Sequence, residues 1–211
     1  MCGRYVSPDT AAIERQWQIG RRNSNPFARR FNAAPTTDVP ILRREGGELT
    51  LSLARWGLIP AWWKEAKPPR LCHNARLEEA AGKPLWRDAM RRSRCLFPAQ
   101  GWYEWREKDK QPYYFSRRDG RLASFAGLAS VYEDKTRGQV LTCAVLSTAS
   151  LGSLAEVHER MPVLLTPEGE EAWLESGAVA IDAGAVQHYP VDRRVNSSLA
   201  EGAELIEPIP A

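Results

Sequence analysis

Cysteine and histidine are scarce in this sequence and long apolar runs are absent, and each shortage excludes something. Four cysteines, Cys2, Cys72, Cys95 and Cys143, are scattered over 211 residues. No CxxC pair occurs, and the three histidines do not stand at zinc-finger spacing from the cysteines. Neither a dithiol redox centre nor a metal site is therefore expected. The internal three cysteines read as reduced, packed thiols. No stretch reaches the ~18 consecutive apolar residues of a transmembrane helix, and no apolar signal region opens the chain. A cytoplasmic protein without a membrane partner is expected. There is no internal repeat, low-complexity tract or clear linker, so residues 1–211 read as one domain. No cofactor is expected, and a monomer is the default.

What is present fits a folded protein with a sizeable core: 43% hydrophobic residues and eight Trp. The net charge of +3 hides an asymmetry. Residues 1–100 carry 18 Lys and Arg against 9 Asp and Glu, giving +9, whereas residues 101–211 carry 11 against 17, giving −6. Arg outnumbers Lys by 23 to 6, and the planar guanidinium fork suits phosphate. A basic first half is what a nucleic-acid surface needs. Genomic base composition gives the same bias, and Arg21-Arg22, Arg29-Arg30 and Arg43-Arg44 also read as solvated loops.

The chain order is predominantly β. Ser7-Pro8-Asp9 predicts a helix start, with Ser7 as cap and Pro8 at the first helical position, running to about Trp17. Residues 20–37 read as loop. Gly46-Gly47 predicts a hairpin with strands near 39–44 and 48–55, and Pro68-Pro69 a loop. Residues 74–80 and 84–92 read as short helices. Strands follow near 94–98, 101–106, 112–117, 122–132 and 139–147. Thr166-Pro167-Glu168 caps a helix to about Ser176, and a last strand near 186–191 precedes a Pro-rich tail. Antiparallel strands thus dominate an α+β domain.

The second residue carries the most specific chemistry. Cysteine is small enough for a methionine aminopeptidase to remove Met1, which leaves Cys2 with a free α-amine beside its thiol. The amine titrates near ~8 and the thiol near ~8.5. Such a 1,2-aminothiol condenses with an aldehyde to an imine and closes to a thiazolidine, which no internal cysteine can do. Gly3 permits close backbone approach and Arg4 can pair with phosphate. In His73-Asn74-Ala75-Arg76 an amide and a guanidinium lie two residues apart. Glu104 stands among aromatics in Gly101-Trp102-Tyr103-Glu104-Trp105, where burial would raise its pKa toward a proton-shuttling range. Strand alternation would place Trp102 and Glu104 on one face; a solvent-facing edge glutamate is the plainer alternative. His158 in His158-Glu159-Arg160-Met161-Pro162 can move protons near pH 7. Trp56-Gly57-Leu58-Ile59-Pro60-Ala61-Trp62-Trp63 offers aromatics for stacking on unpaired bases or for core packing.

Taken in order, these pieces resemble the SRAP family, the SOS-response-associated peptidase or abasic-site processing proteins. The resemblance spans nearly the whole chain. It rests on Met1-Cys2-Gly3-Arg4, Asn32-Ala33-Ala34-Pro35, Trp56-Gly57-Leu58-Ile59-Pro60, Asn74-Ala75-Arg76, and Arg94-Cys95-Leu96-Phe97-Pro98-Ala99 running into Gly101-Trp102-Tyr103-Glu104-Trp105. Ala126-Gly127-Leu128, the Thr148 region, His158-x-Arg160-Met161-Pro162 and Val195-Asn196 complete it. The resemblance implies a β-rich α+β fold, a barrel-like twisted antiparallel sheet surrounded by helices. It implies binding of single-stranded DNA and of single-strand/double-strand junctions, with nucleoid association when DNA-bound. It implies a largely single-turnover covalent cross-link between an abasic site and Cys2, which shields the lesion from strand cleavage, and autocatalytic loss of the N-terminal residue.

By the same resemblance Cys2 is the nucleophile, Glu104 transfers protons, His158 assists ring opening and reversal, and Asn74 orients the sugar or the amine. Arg4, Arg76 and Arg160 hold phosphates, Asn32 and Thr148 line the same region, and Trp62 and Trp105 stack on bases. The chain departs from the family pattern at Gln100, where an acid is usual, at Trp102, where Phe is usual, and at Glu79, where Thr is common. Three other readings remain from the residues alone: an N-terminal-nucleophile amidohydrolase acting in trans, a non-catalytic DNA-binding module, and a redox thiol protein.

Overall fold

The structure, a computed structural model, describes residues 2–19, 26–65 and 72–209. Met1, Arg21-Arg22 and the Pro68-Pro69 loop lie outside the described residues. The elements run β1 (Tyr5–Ser7), α1 (Thr10–Trp17), β2 (Arg30–Ala33), β3 (Asp38–Glu45), β4 (Glu48–Trp56), β5 (Asn74–Arg76), α2 (Leu77–Ala80), α3 (Pro84–Arg92) and β6 (Arg94–Ala99). They continue as β7 (Gly101–Trp105), β8 (Pro112–Arg117), β9 (Ala123–Asp134), β10 (Gly138–Ala149), β11 (Arg160–Pro162), α4 (Gly169–Ser176) and β12 (Val186–Pro190), with short 3-10 turns between Gly152 and Ile206.

Two sheets make up the α+β architecture. The first has the order β12-β8-β7-β1-β2, antiparallel throughout. In the second, β10-β4-β3-β6-β9 returns to β10, because β9 and β10 pair from Asp134↔Gly138 to Gly127↔Val145 and close a five-stranded ring. β5 and β11 add to the far end of β10. The expected barrel-like sheet is present with one correction: β10 runs parallel to β4 and to β5. The β3–β4 hairpin turns where the sequence predicts. Gly46 and Gly47 both have positive φ (58° and 87°), which L side chains rarely adopt.

Alternation along the strands sorts the core into layers. Ile41, Cys95, Phe97, Cys143 and Val145 point from the ring toward the five-stranded sheet, where they meet Cys2, Tyr5, Trp102 and Phe115. Their neighbours Leu42, Leu96, Ala144 and Leu146 point the other way, onto Ile13 of α1, Trp86 of α3 and Trp173 of α4. On the outer face of the five-stranded sheet, Val6, Tyr103 and Tyr114 lie under Val191, Val195 and Leu205. β7 is therefore covered on both sides. Trp102 stacks on Phe115 at 5.1 Å and meets the edge of Phe125 at 5.3 Å. Such aromatic pairs add ~0.5–1.5 kcal/mol each beyond their buried area.

Two local expectations are corrected. Asp9, not Ser7, caps α1: its side chain accepts the Ala12 N–H at 2.8 Å, while Ser7 ends β1 opposite Arg30. Residues 74–80 are not one helix. Asn74–Arg76 is extended and pairs with Val145–Ser147 of β10, which leaves only Leu77–Ala80 helical. The expected loop at 20–37 contains β2. The α4 start behaves as predicted, with Thr166 Oγ1 accepting the Gly169 N–H at 3.0 Å. No helix among the described residues is long and apolar enough to cross a membrane.

Candidate active site

Four of the sequence-predicted residues converge between the two sheets. Cys2 leads into β1 and is fully buried, with Sγ 3.8 Å from the Arg4 carbonyl oxygen. β1 pairs with β7 at Tyr5↔Trp102, and the Tyr103 N–H donates to the Arg4 carbonyl at 3.0 Å. This register brings Glu104, the next residue on β7, to the Cys2 end of β1. Gly101 sets how closely β7 approaches its other neighbour: a Cβ there would lie 2.3 Å from the Phe115 carbonyl oxygen of β8.

Glu104 is 3% exposed, so it is not an edge residue facing water. Burial among apolar neighbours pushes its carboxyl up to about 7. The Cys2 thiol is held well above its ordinary range, first by burial and second by the Glu104 charge. His158 precedes β11, with Nε2 4.0 Å from a Glu104 carboxylate oxygen. Its Nδ1 lies 2.9 Å from the Arg160 amide nitrogen, whose N–H it can accept. Nδ1 also lies 3.0 Å from the Arg160 carbonyl oxygen, so the Arg160 backbone can hold the ring in either tautomer, with Nε2 facing Glu104 in both. Burial lowers the His158 pKa, which favours the neutral ring at pH 7.

Asn74 reaches the same centre from β5. Its Nδ2 donates to the Cys2 carbonyl at 2.7 Å, while its Oδ1 is buried and has no hydrogen-bond partner. The preceding residue is fixed twice: the His73 carbonyl accepts from Trp56 Nε1 at 2.9 Å and from the Val145 N–H at 3.0 Å. Cys2, Asn74, Glu104 and His158 thus form one group, drawn from four separate stretches of chain. Two clefts border it, one at His158 and one at Asn74. One, of about 380 Å³, is lined by His158, Arg106 and Lys108 among others. The other, of about 270 Å³, is lined by Asn74, Arg76, Glu79, Lys83 and Trp86. Among the described residues no three His, Cys, Asp or Glu side chains cluster as metal ligands.

The remaining candidates divide by how they are held. Arg76 is exposed and pairs with Glu79 at 3.3 Å. Arg160 lies deeper; its Nη1 and Nη2 donate to the two Glu78 carboxylate oxygens at 3.2 and 3.0 Å, and Nη2 also donates to the Ser147 carbonyl at 2.7 Å. Thr148 Oγ1 donates to Glu78 Oε1 at 3.0 Å. Arg4 and Asn32 spend their polar atoms inside the protein. Arg4 Nη1 donates to Asn32 Oδ1 and to the Val195 carbonyl, both at 2.9 Å, and Nη2 to the Asn196 carbonyl at 3.3 Å. Asn32 Nδ2 donates to the Ser197 and Ala200 carbonyls at 2.8 and 3.0 Å. Trp105 Nε1 donates to Asn196 Oδ1 at 2.6 Å. Trp62, 47% exposed, lines a separate cleft of about 530 Å³ with Leu58, Leu85, Arg92 and Val131, none of which belongs to the Cys2 group. Sequence reasoning missed Glu78, which binds two of the candidates; its only signal was its place two residues after Arg76.

Comparisons with known proteins find similarity along nearly the whole chain. The family model described as SOS response associated peptidase (SRAP) matches residues 1–198. The chain is 31% identical over 222 residues to the abasic site processing protein YoqW of Bacillus subtilis, covering 98% of this chain and 99% of that one. It is also 31% identical over 234 residues to the abasic site processing protein YedK of Escherichia coli, covering 99% and 100%. Its fold is that of a Bacteroides thetaiotaomicron protein of known crystal structure, with a TM-score of 0.83 at 22% identity over 99% of this chain and 100% of that one.

Proposed function

The chain belongs to the SOS response associated peptidase (SRAP) family, and from that premise we propose that it processes abasic sites in single-stranded DNA by covalent capture on Cys2. Relatives similar along their whole length are named abasic site processing proteins. The observation that carries the reading is the pairing of a buried Cys2 with a buried Glu104 whose carboxyl titrates at about 7. At neutral pH such a carboxyl is present as acid and as base in comparable amounts.

The reaction follows from these groups once Met1 is removed. The ring-opened deoxyribose presents an aldehyde at C1′. The Cys2 α-amine adds to it, and the resulting carbinolamine loses its hydroxyl as water after protonation by Glu104. The proton shed by nitrogen returns to the Glu104 carboxylate. The thiol sulfur then bonds to the imine carbon while the thiol proton passes to the nitrogen. Aldehyde, amine and thiol give thiazolidine and one water. Asn74 holds the Cys2 carbonyl and leaves Oδ1 to orient the amine. His158, neutral and with Nε2 toward Glu104, passes protons during sugar opening and reversal.

DNA lies across the two clefts beside this group, with Arg76, Thr148 and Arg160 on phosphates and Trp105 against a base, while Trp62, over its separate cleft, meets bases farther along the strand. Arg4 and Asn32 act from behind: they hold the 193–200 segment, whose Asn196 fixes the Trp105 indole. A thiolate amidohydrolase is the weaker reading, because thiolate nucleophiles need a lowered pKa and burial with Glu104 drives the Cys2 thiol the other way.

The test is a denaturing gel of Met1-processed protein with single-stranded DNA carrying one abasic site, with Cys2→Ala alongside. A heat-stable shifted band that the variant lacks is expected. Absence of the band from protein whose Met1 loss is verified by mass spectrometry returns the amidohydrolase reading.

A further inference from the structure

Glu78 is the feature that the proposed reaction leaves without a role. Its carboxylate is spent on two of the side chains assigned to DNA. Both oxygens face the Arg160 guanidinium in a parallel fork, at 3.2 and 3.0 Å, and Oε1 also accepts from Thr148 Oγ1 at 3.0 Å. A phosphate offers two oxygens in the same planar arrangement and takes the same fork. The two therefore compete for one seat.

The placement separates competition from mere support. The Arg160 side chain is 14% exposed and that of Glu78 48%, so the carboxylate sits on the solvent side of the guanidinium. Arg160 does not depend on Glu78 for its position. Nη2 is anchored independently to the Ser147 carbonyl at 2.7 Å and to Ser147 Oγ at 3.2 Å, and its backbone pairs with Ala149 in the β10–β11 ladder. The Arg160 pairing in turn holds the Glu78 carboxyl at about 2, so it is charged at every working pH. The next residue repeats the pattern on the neighbouring cleft, where Glu79 pairs with Arg76 and Lys83.

We propose that Glu78 is a specificity-determining residue: its carboxylate occupies the phosphate seat formed by Arg160 and Thr148, and DNA must displace it to bind. This rests on the reading that Arg160 and Thr148 face DNA. The displacement falls on every strand alike. Undamaged DNA has only non-covalent contacts to offset it, whereas an abasic strand is retained by the bond to Cys2. Glu78 thereby suppresses occupancy of the site by intact single strands.

The experiment measures binding of undamaged single-stranded DNA by wild type, Glu78→Gln and Arg160→Ala over a range of salt concentrations, with thermal unfolding to confirm folding. Gln keeps an acceptor for Thr148 and removes the competing charge. Glu78→Gln is expected to bind about fivefold tighter, with a slope of log affinity against log salt steeper by ~0.7. Arg160→Ala is expected to bind more weakly and with a shallower slope. If Arg160→Ala weakens binding while Glu78→Gln leaves it unchanged or lowers it, competition is wrong and Glu78 merely supports the arginine. If Arg160→Ala leaves binding and its salt slope unchanged, the phosphate assignment fails, and this proposal fails with it.

Discussion

The Cys2 centre and the Arg76–Arg160 rim meet on β5, where Asn74 and Arg76 stand two residues apart, yet they are built on opposite principles. At the centre, Cys2 and Glu104 are almost fully buried, and burial sets their chemistry by lifting both the thiol and the carboxyl. At the rim, cations are matched by acids that water reaches, and the Glu78 carboxyl is pulled down by the Arg160 hydrogen bonds. Desolvation near the reacting atoms makes proton transfer possible at pH 7. Solvation at the rim keeps ion pairs cheap to exchange, as pairings that must yield to phosphate require. The dry region fixes what reaction occurs, and the wet region fixes how readily DNA arrives.

The contrast is broken most completely at Cys2. Cys2→Ser keeps the α-amine and removes the thiol, so imine formation should survive while thiazolidine closure is lost. Expected is an adduct captured by borohydride that disappears on heating without it. A heat-stable adduct without reductant would overturn the ring-closure step.

Glu104→Gln is next. Loss of a positioned acid–base group should slow cross-linking by ~10²–10⁴-fold and flatten the rate profile near pH 7. The same change has a stability signature of known sign. A carboxyl held neutral to about 7 instead of its ordinary 4.5 binds its proton more tightly folded than unfolded. Wild-type stability therefore falls as pH rises between those values, by about 3 kcal/mol once pH exceeds 7. Gln carries no such penalty, so the variant should gain on wild type in thermal unfolding from pH 5 to pH 8. A difference independent of pH would show that Glu104 is not held neutral by the fold.

The same division explains what the sequence revealed. The strands from Arg94 to Ala149 were legible because apolar alternation is punctuated by Gly, Pro and charged turns. β1, β2, β5 and β11 were not: each has three or four residues, and their partners are distant. Tyr5 becomes a strand residue because Trp102 and Ala33 lie beside it. Asn74–Arg76 runs without a break into α2, so no local signal separates strand from helix; the edge of β10 decides it. At the site, the aromatic surroundings of Glu104 left a buried acid and a solvent-facing edge residue both open; Glu104 is buried because β7 is covered on both faces. The inward commitment of Arg4 and Asn32 was hidden, since apart from the bond between the two their partners are backbone carbonyls at Val195, Asn196, Ser197 and Ala200 that carry no side-chain signature. Glu78 was hidden because an acid beside arginines looks the same whether it is a solvated surface residue or an occupant of the binding seat.

The smallest expected effect tests the wet side alone. Arg76 is exposed, and its pairing with Glu79 is itself shared with Lys83, so Arg76→Ala should leave the unfolding temperature essentially unchanged. Affinity for single-stranded DNA should fall a few-fold, with the salt slope shallower by ~0.7 because one phosphate no longer has its cation. The rate of cross-linking at saturating abasic DNA should hardly move, because Asn74, two residues away, keeps its bond to the Cys2 carbonyl. A large loss of saturating rate with unaltered affinity would mean that the rim acts on the reacting atoms directly, and the separation between a dry centre and an exchangeable edge would not hold.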